Sequence, residues 1–470
     1  MNKTVIILGA GISGLATAWW LREAGCTVTL LEKRAEPGGS MDSRRIEGYL
    51  VDYGPNSGLM TSPLIEQLID GAGIRDELRF ADVSAGARRY ILRNGAIHPL
   101  PMSLGSFLRT PLFSMRAKLR LLGEPFIGRS SDGYNQSIAD FVRRRLGQEF
   151  LDYAINPFVA GVFAGNPETL SVKSAFPRLY RLEEEYGGLI RGAMLGARER
   201  KRSGETSKQK ARMFSFLGGM QRLPEALAAS FGDDVKYEAE VTGIQKTGGE
   251  WQVRYNHENS SHTAAAGALV STAPAYVAAN LVEPLDADAA RHLREIHYPP
   301  VMMLYLGYNV SQIGQPLDGF GFLIPEKEKR CFLGAIWSSV LFPDRAPDAR
   351  AGFTLFVGGA RSPELFDQPE DKLVEAVIKE FSQIMKIDGD PVFQERRLWH
   401  KAIPQYNLGY IEHARAFERF EAAHKGVYLS GNYRGGISVA DCIKSSREVA
   451  DGVIEGFGLS SRSTSDEAMS

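Results

Sequence analysis

Three glycines stand in the run Gly9-Ala10-Gly11-Ile12-Ser13-Gly14, directly after an apolar β-branched stretch and at the opening of a helical one. Each has its own task in holding a dinucleotide. The first allows a tight turn, the second lets backbone approach a pyrophosphate, and the third lets helix pack close on strand. The pyrophosphate then meets free N–H groups at a helix N-terminus, where the helix dipole favours an anion. Glu32, followed by Lys33, ends the next β-rich stretch, where a carboxylate can accept both hydroxyls of an adenosine ribose. The glycine pattern alone is weak; with strand, helix, second strand and terminal acid it reads as a nucleotide site. Other chemistry is not signalled. No Ser/His/Asp, Cys/His or paired-carboxylate constellation is recognisable. The eight histidines form no HxxxH or HxH pair, and Cys26, Cys331 and Cys442 are far apart, so neither a metal nor a disulfide framework is expected.

After Glu32 come Pro37, Gly38, Gly39 and Ser40, then Gly48 to Ser57, which includes Gly54, Pro55, Asn56 and Ser57. Near the other end, a strand-like Val427 to Ser430 leads into Gly431, Asn432, Gly435, Gly436, Ile437, Ser438 and Val439. The two together resemble the glutathione-reductase-type FAD proteins of the amine oxidase superfamily. That resemblance implies FAD held non-covalently, with the second glycine-rich turn supplying N–H groups to the flavin and ribityl chain. Two positions depart from the superfamily: Ser40 stands where Arg or Lys is usual, and Asn432 where Asp is usual.

Six segments resemble the protoporphyrinogen oxidase family more narrowly: Asn156–Pro167, Leu217–Pro224, Gly319–Pro325, Leu333–Pro347, Phe356–Arg361 and Gly431–Val439. The family resemblance implies oxidation of protoporphyrinogen to protoporphyrin, with hydride loss from a meso carbon to the flavin and reoxidation by O2. It assigns Arg89 to a substrate propionate, which a guanidinium binds by charge-assisted hydrogen bonds; the alternatives are a solvated strand arginine, or Arg88 in its place. It places Leu323, Ile336 and Phe356 on the pyrrole rings, against a plain core reading. Gly161 would bring its backbone carbonyl to the substrate, Val241 would meet the adenine and Trp399 the flavin. The partners it implies are the tetrapyrrole, O2, a peripheral membrane surface, a ferrochelatase receiving the product, and a second copy of the chain.

The elements that must position these residues form an α/β fold. Thr4–Leu8, Ala16–Ala24 and Thr27–Leu31 read as strand, helix and strand, and Tyr237–Ile244, Trp251–Tyr255 and Ala268–Thr272 as further strands. We expect a Rossmann-like FAD-binding domain, discontinuous over 1–80, 213–290 and 400–457, and a mixed β-sheet substrate domain over 81–98 and 291–399. A helical, membrane-associating lobe is expected over 99–212, and a disordered tail over 458–470. Arg191 to Arg212 carries eight Lys or Arg against two Glu and reads as a basic loop. In the lobe, Leu104, Phe107, Leu108, Leu112, Phe113, Leu119, Leu121, Leu122 and Phe126 alternate with Arg109, Arg116, Lys118 and Arg120. Such a surface lies on an anionic bilayer, or else its apolar members form the lobe's own core.

Composition sets the outer limits. The 470 residues are 44% hydrophobic and 24% charged, enough for two or three domains. Lys and Arg total 55 against 56 acids, so no long-range field attracts nucleic acid. With a strand starting at Thr4 and no long apolar run, a cytoplasmic protein is expected, at most peripheral on the cytoplasmic face of the inner membrane. Rival readings are coproporphyrinogen oxidation, for which Arg88, Arg89 and Arg93 would suit extra carboxylates, amine oxidases and carotenoid desaturases on the same scaffold, and a non-catalytic escort protein.

Overall fold

The computed structural model describes residues 2–131, 134–192, 195 and 211–459. Most of the basic stretch, residues 193–194 and 196–210, lies outside the described residues, as does 460–470 of the tail.

Strand Thr4–Leu8 pairs in parallel with Thr27–Leu31 on one side and Ala268–Ser271 on the other. Val235–Lys236 and Val427–Leu429 complete a five-stranded parallel sheet. Its strands are apolar on both faces because both are covered. Val5, Ile7, Leu30 and Val270 pack under helices Ile12–Glu23 and Val439–Gly456, while Ile6, Leu8, Leu31 and Leu269 join a core with Trp251 and Val253 of an antiparallel meander. That meander is Glu240–Thr247, Glu250–His257 and Ser260–Ala266. The expected strand from Tyr237 instead begins at Glu240. Glu238 adopts φ 50°, and the N–H groups of Glu238 and Ala239 bond to the carbonyls of Arg34 and Glu32. The chain is thus turned alongside the acid that ends the second strand.

A second sheet has seven strands in the order Phe393–Trp399, Val301–Asn309, Arg350–Gly358, Gly334–Ile336, Gly321–Leu323, Arg89–Arg93, Ala96–Pro99. Alternation divides its faces. Met302, Leu304, Phe322, Ala335, Phe353 and Leu355 pack on helix Glu370–Met385, whose Leu373, Val377, Phe381 and Ile384 recur at helical spacing. The opposite face is left for the rest of the molecule.

The apolar residues of the lobe divide into buried and exposed sets. Leu112 and Phe113 are buried, Phe107 and Leu121 pack partly on that core, and Leu104, Leu108, Leu119, Leu122 and Phe126 are exposed. Lys118 is buried, its ammonium bonded to the carbonyls of Leu108 at 2.9 Å and Thr110 at 2.8 Å, whereas Arg109, Arg116 and Arg120 are exposed. Among the described residues no helix is long and apolar enough to cross a membrane.

The centre of the lobe is ionic. Arg145, fully buried, reaches Glu124 at 2.7 Å and also bonds Glu183, which Arg144 approaches at 2.8 Å. Burial pushes the Glu183 carboxyl up, but bonds from Arg145, Ser130 and Arg144 outweigh it and hold the pKa below the ordinary range. Removing one member of such a group leaves an uncompensated buried charge. Arg145→Met should therefore destabilise the protein by about 3–5 kcal/mol, read by urea unfolding, and adding Glu124→Gln should restore part of the loss. A loss below about 1 kcal/mol, the scale of an exposed pair, would contradict this.

Candidate active site

Helix Ile12–Glu23 begins on Gly11 with no side-chain cap and no acid in its first turn, which leaves its leading N–H groups for an anion. A Cβ on Gly11 would lie 3.9 Å from the Gly38 carbonyl oxygen and 4.0 Å from the Gly39 Cα, ordinary contact that the protein itself tolerates. A Cβ on Gly14 would instead fall on the Gly9 carbonyl oxygen. Gly14 therefore serves the packing of helix on strand, and Gly11 leaves space for something outside the chain. Gly38 N–H bonds to the Ala10 carbonyl at 2.9 Å, which sets the Gly38-Gly39 doublet beside the first turn. Gly54 in turn packs on the Ser40 carbonyl, with no room there for a side chain.

Glu32 is buried, accepting the Ala10 N–H at 2.7 Å on one oxygen and the Arg34 N–H at 2.9 Å on the other. Each carboxylate oxygen keeps a further lone pair for a ribose hydroxyl. The Lys33 side chain points away, 71% exposed, to Glu240 at 2.7 Å. Val241, half-buried, follows Glu240 beside the acid's strand.

At the carboxyl ends of two neighbouring strands, the hydroxyls of Ser271 and Ser430 are buried and unpaired among the described residues. Ligands bind at such strand ends in open parallel sheets. The second glycine turn begins there. Its backbone is held by Tyr406, whose hydroxyl accepts the Gly436 N–H at 2.9 Å and donates to the Asn432 carbonyl at 2.8 Å. Tyr406 stacks on Tyr410 with ring centroids 4.3 Å apart, and Tyr410 bonds the Tyr433 carbonyl. Ser438 caps helix Val439–Gly456, accepting the Asp441 N–H at 3.1 Å, while Ile437 is half-buried. These residues fit FAD: uncapped helix N–H groups, a buried ribose acceptor and open space over Gly11. Cys442 lies buried in the same helix and its thiol is pushed up to about 12 by burial, which makes it a poor nucleophile for a flavin linkage.

The substrate residues expected from the sequence share one face of the seven-stranded sheet. Register pairs Phe356 with Gly334, Gly334 with Leu323, and Leu323 with Ile91. Two residues along, Thr354 pairs with Ile336, Ile336 with Gly321, and Gly321 with Arg89. Cross-strand partners project to the same side, so Arg89, Leu323, Ile336 and Phe356 surround two glycines. Both take φ values that disfavour side chains, 131° at Gly321 and 156° at Gly334, and a Cβ at either would run into a neighbouring backbone carbonyl. The result is a flat floor with apolar walls. Trp399 and Arg397 lie on the same face two strands away, where the Trp399 indole donates to the Tyr53 carbonyl at 2.9 Å. Asn56 reaches Thr354 at 3.4 Å, and a small cavity between the two units is lined by Asn56, Ser57 and Ile336. Above the sheet, helix Asn156–Phe163 follows a turn of π-helix and sets Gly161 where a Cβ would lie 2.6 Å from Leu323 Cδ2.

Three neighbouring arginines have different environments. Arg88 is paired with Asp318, and Arg93 with Glu149 at 2.8 Å. Arg89 has no carboxylate partner among the described residues; its guanidinium lies 4.9 Å from the Phe320 ring centroid. Its side chain opens to solvent at the rim, yet partial burial lowers its pKa from the ordinary arginine value. Tyr406, Gly321, Gly334 and Thr354 lie among the candidate residues and were not singled out by sequence reasoning. The strand pairing that makes the glycines a floor is invisible without register.

An open parallel sheet with glycine turns at both ends defines a dinucleotide-type flavoprotein. The family model for flavin containing amine oxidoreductases matches residues 12–454. The chloroplastic/mitochondrial protoporphyrinogen oxidase 2 of Arabidopsis thaliana is 32% identical over 96% of this chain and 94% of its own. The coproporphyrinogen III oxidase of Bacillus subtilis is 27% identical over 94% of this chain and 96% of its own. Among solved structures, reduced UDP-galactopyranose mutase aligns at TM-score 0.73 with 16% identity, covering 97% of this chain and 94% of that one. The chain belongs to the flavin containing amine oxidoreductase family, on its protoporphyrinogen oxidase branch.

The contrast between the glycines gives a test. Gly11→Val should fold, by circular dichroism, but purify without the flavin absorbance that denaturation releases from the wild type. Gly14→Val should fail to fold, because its side chain overlaps backbone. Wild-type flavin content in Gly11→Val would refute the phosphate-loop assignment.

Proposed function

We propose that this chain is an FAD-dependent oxidase that converts protoporphyrinogen IX to protoporphyrin IX, transferring six electrons to three O2 to give three H2O2. The observation that carries this reading is the full-length relationship to a plant enzyme named for that reaction. When bound in the glutathione-reductase manner, FAD supplies two-electron acceptance, repeated three times with reoxidation by O2. The chain itself orients the substrate. Arg89 holds a propionate, Leu323, Ile336 and Phe356 confine the ring, the Gly161 carbonyl faces it, and Trp399 borders the flavin side. No side chain is needed as a general base, since aromatisation drives the reaction and positioning is what remains.

The charge distribution favours a substrate with two carboxylates over one with four. Arg88 and Arg93, which would serve extra propionates, are already neutralised by Asp318 and Glu149, and this supports protoporphyrinogen over coproporphyrinogen. Turnover of each pure porphyrinogen, followed by porphyrin fluorescence, tests the preference; a higher kcat/KM on coproporphyrinogen would reverse it. Losing a charge-assisted bond costs about 1.5–3 kcal/mol, so Arg89→Ala should lower kcat/KM roughly 10- to 150-fold with flavin retained. A substrate esterified at its propionates should be nearly indifferent to the mutation. Equal losses on acid and ester would mean that Arg89 only supports the fold.

The lobe is read as a peripheral membrane surface. Met102, Leu104, Met115, Leu119, Leu122 and Phe126 are 60–89% exposed, with Arg109, Arg116 and Arg120 exposed among them. Apolar side chains that enter an interface beside cations suit an anionic bilayer. The protein should sediment with anionic vesicles, high salt should release a substantial part, and Phe126→Glu should weaken binding at any salt. Indifference to vesicle charge and to Phe126→Glu would refute this.

A further inference from the structure

Helices Ala287–Glu295 and Tyr410–Ala423 pack against each other at a point where two imidazoles meet. His292 Nδ1 lies 2.8 Å from His413 Nδ1, and Glu295 Oε2 is 3.8 Å from the first and 3.7 Å from the second. The His side chains are only 12% and 17% exposed, while Glu295 is 44% exposed and opens the group to solvent. Among the described residues this is the group whose donors converge closely enough for a metal ion.

We propose that His292, Glu295 and His413 bind one divalent transition-metal cation of the zinc class, with water completing the coordination. Two imidazole nitrogens and a carboxylate oxygen are the donor set that such borderline cations take. Around a tetrahedral ion with bonds of about 2.0–2.1 Å, donor atoms stand about 3.4 Å apart. The nitrogens must therefore separate slightly and the carboxylate approach slightly, movements within reach of side-chain rotation.

Without metal, the Arg291 guanidinium donates to His292 Nε2 at 3.0 Å, so the His292 proton sits on Nδ1 and is shared with His413. Metal binding at Nδ1 moves that proton to Nε2, with no net release, and breaks the Arg291 bond to Nε2, so the imidazole turns from the guanidinium toward Asp288. Asp288 Oδ2, 3.8 Å from Nε2, is then the acceptor that fixes the ring, the usual role of a carboxylate behind a metal-bound histidine. Arg291 keeps its bonds to Asp288 at 2.7 Å and Glu295 Oε1 at 2.8 Å. The site would brace the second glycine turn. Helix Tyr410–Ala423 holds that turn through Tyr410 on the Tyr433 carbonyl and through Glu421, which accepts the Leu429 N–H at 2.7 Å and pairs with Arg434.

The test uses the flavin-loaded full chain, stripped with a chelator and titrated with Co2+ under visible spectroscopy and with Zn2+ under calorimetry. One saturable equivalent is expected, with Co2+ ligand-field bands and slower flavin release on heating. His413→Ala and His292→Ala should abolish it, Asp288→Asn should weaken it about 10- to 100-fold, and His400→Ala should leave it intact. No saturable equivalent would overturn the proposal. So would unchanged binding in Glu295→Gln, the deciding variant should a histidine variant lose its flavin.

Discussion

Strand register on the seven-stranded sheet is the constraint on which the candidate site depends. Gly334 must pair with both Phe356 and Leu323, and Gly321 with both Ile336 and Arg89. A slip of one residue in any of these strands would turn its floor or wall residues toward helix Glu370–Met385 and bring core residues into the cleft. The register is over-determined from the other side: Phe322, Ala335, Phe353 and Leu355 fill a buried apolar core, where a polar side chain would be costly. The packing of a face that never meets substrate therefore sets the positions of the face that does.

The nucleotide half of the molecule was legible because its signals are local. Strand, glycine turn, helix and acid lie within Thr4–Glu32, and the structure keeps that order. The expected substrate residues came only residue by residue, through family resemblance, since Arg89 and Phe356 share a sheet face only through two intervening strands from distant segments. Strand Ser260–Ala266 escaped notice because Thr263 is its single β-branched residue among Ser, His and Ala, and its place is set by the neighbouring strand. His292 and His413 lie on different helices, so no spacing rule applied to one strand of sequence could join them. The lobe's apolar residues looked alike in sequence, yet tertiary packing buries Leu112 and Phe113 while leaving Leu122 and Phe126 exposed.

Buried charge accounts for how the irregular segments are held. Asp52 accepts the Met220 N–H at 2.9 Å and the Ser43 hydroxyl at 2.6 Å, and lies 3.3 Å from Arg345. It thereby joins the Ser43–Ile46 and Tyr49–Asp52 hairpin, the Leu217–Pro224 segment and the Leu333–Pro347 segment at one carboxylate. Burial raises its pKa, and the Arg345 charge opposes that rise. Two of the six family-like segments thus converge on one structural carboxylate, through Met220 and Arg345.

The same hairpin leads into the residues that connect the two halves. Tyr49, Val51 and Tyr53 pack on Met303, Tyr305 and Phe393 of the seven-stranded sheet, and Phe356 and Trp399 border that core. Tyr53 then accepts the Trp399 indole N–H, and Asn56, three residues on, reaches Thr354 beside Ile336. The segment after the glycine doublet is therefore one continuous piece of chain that packs on Ser40, next to the doublet, through Gly54 and reaches Thr354 of the seven-stranded sheet through Asn56. On the proposed function, these few residues of backbone would relate the nucleotide site to the ring site. If that function holds, a change in this segment would be felt both beside the glycine doublet, where Gly54 packs on Ser40, and at the sheet face where Asn56 meets Thr354.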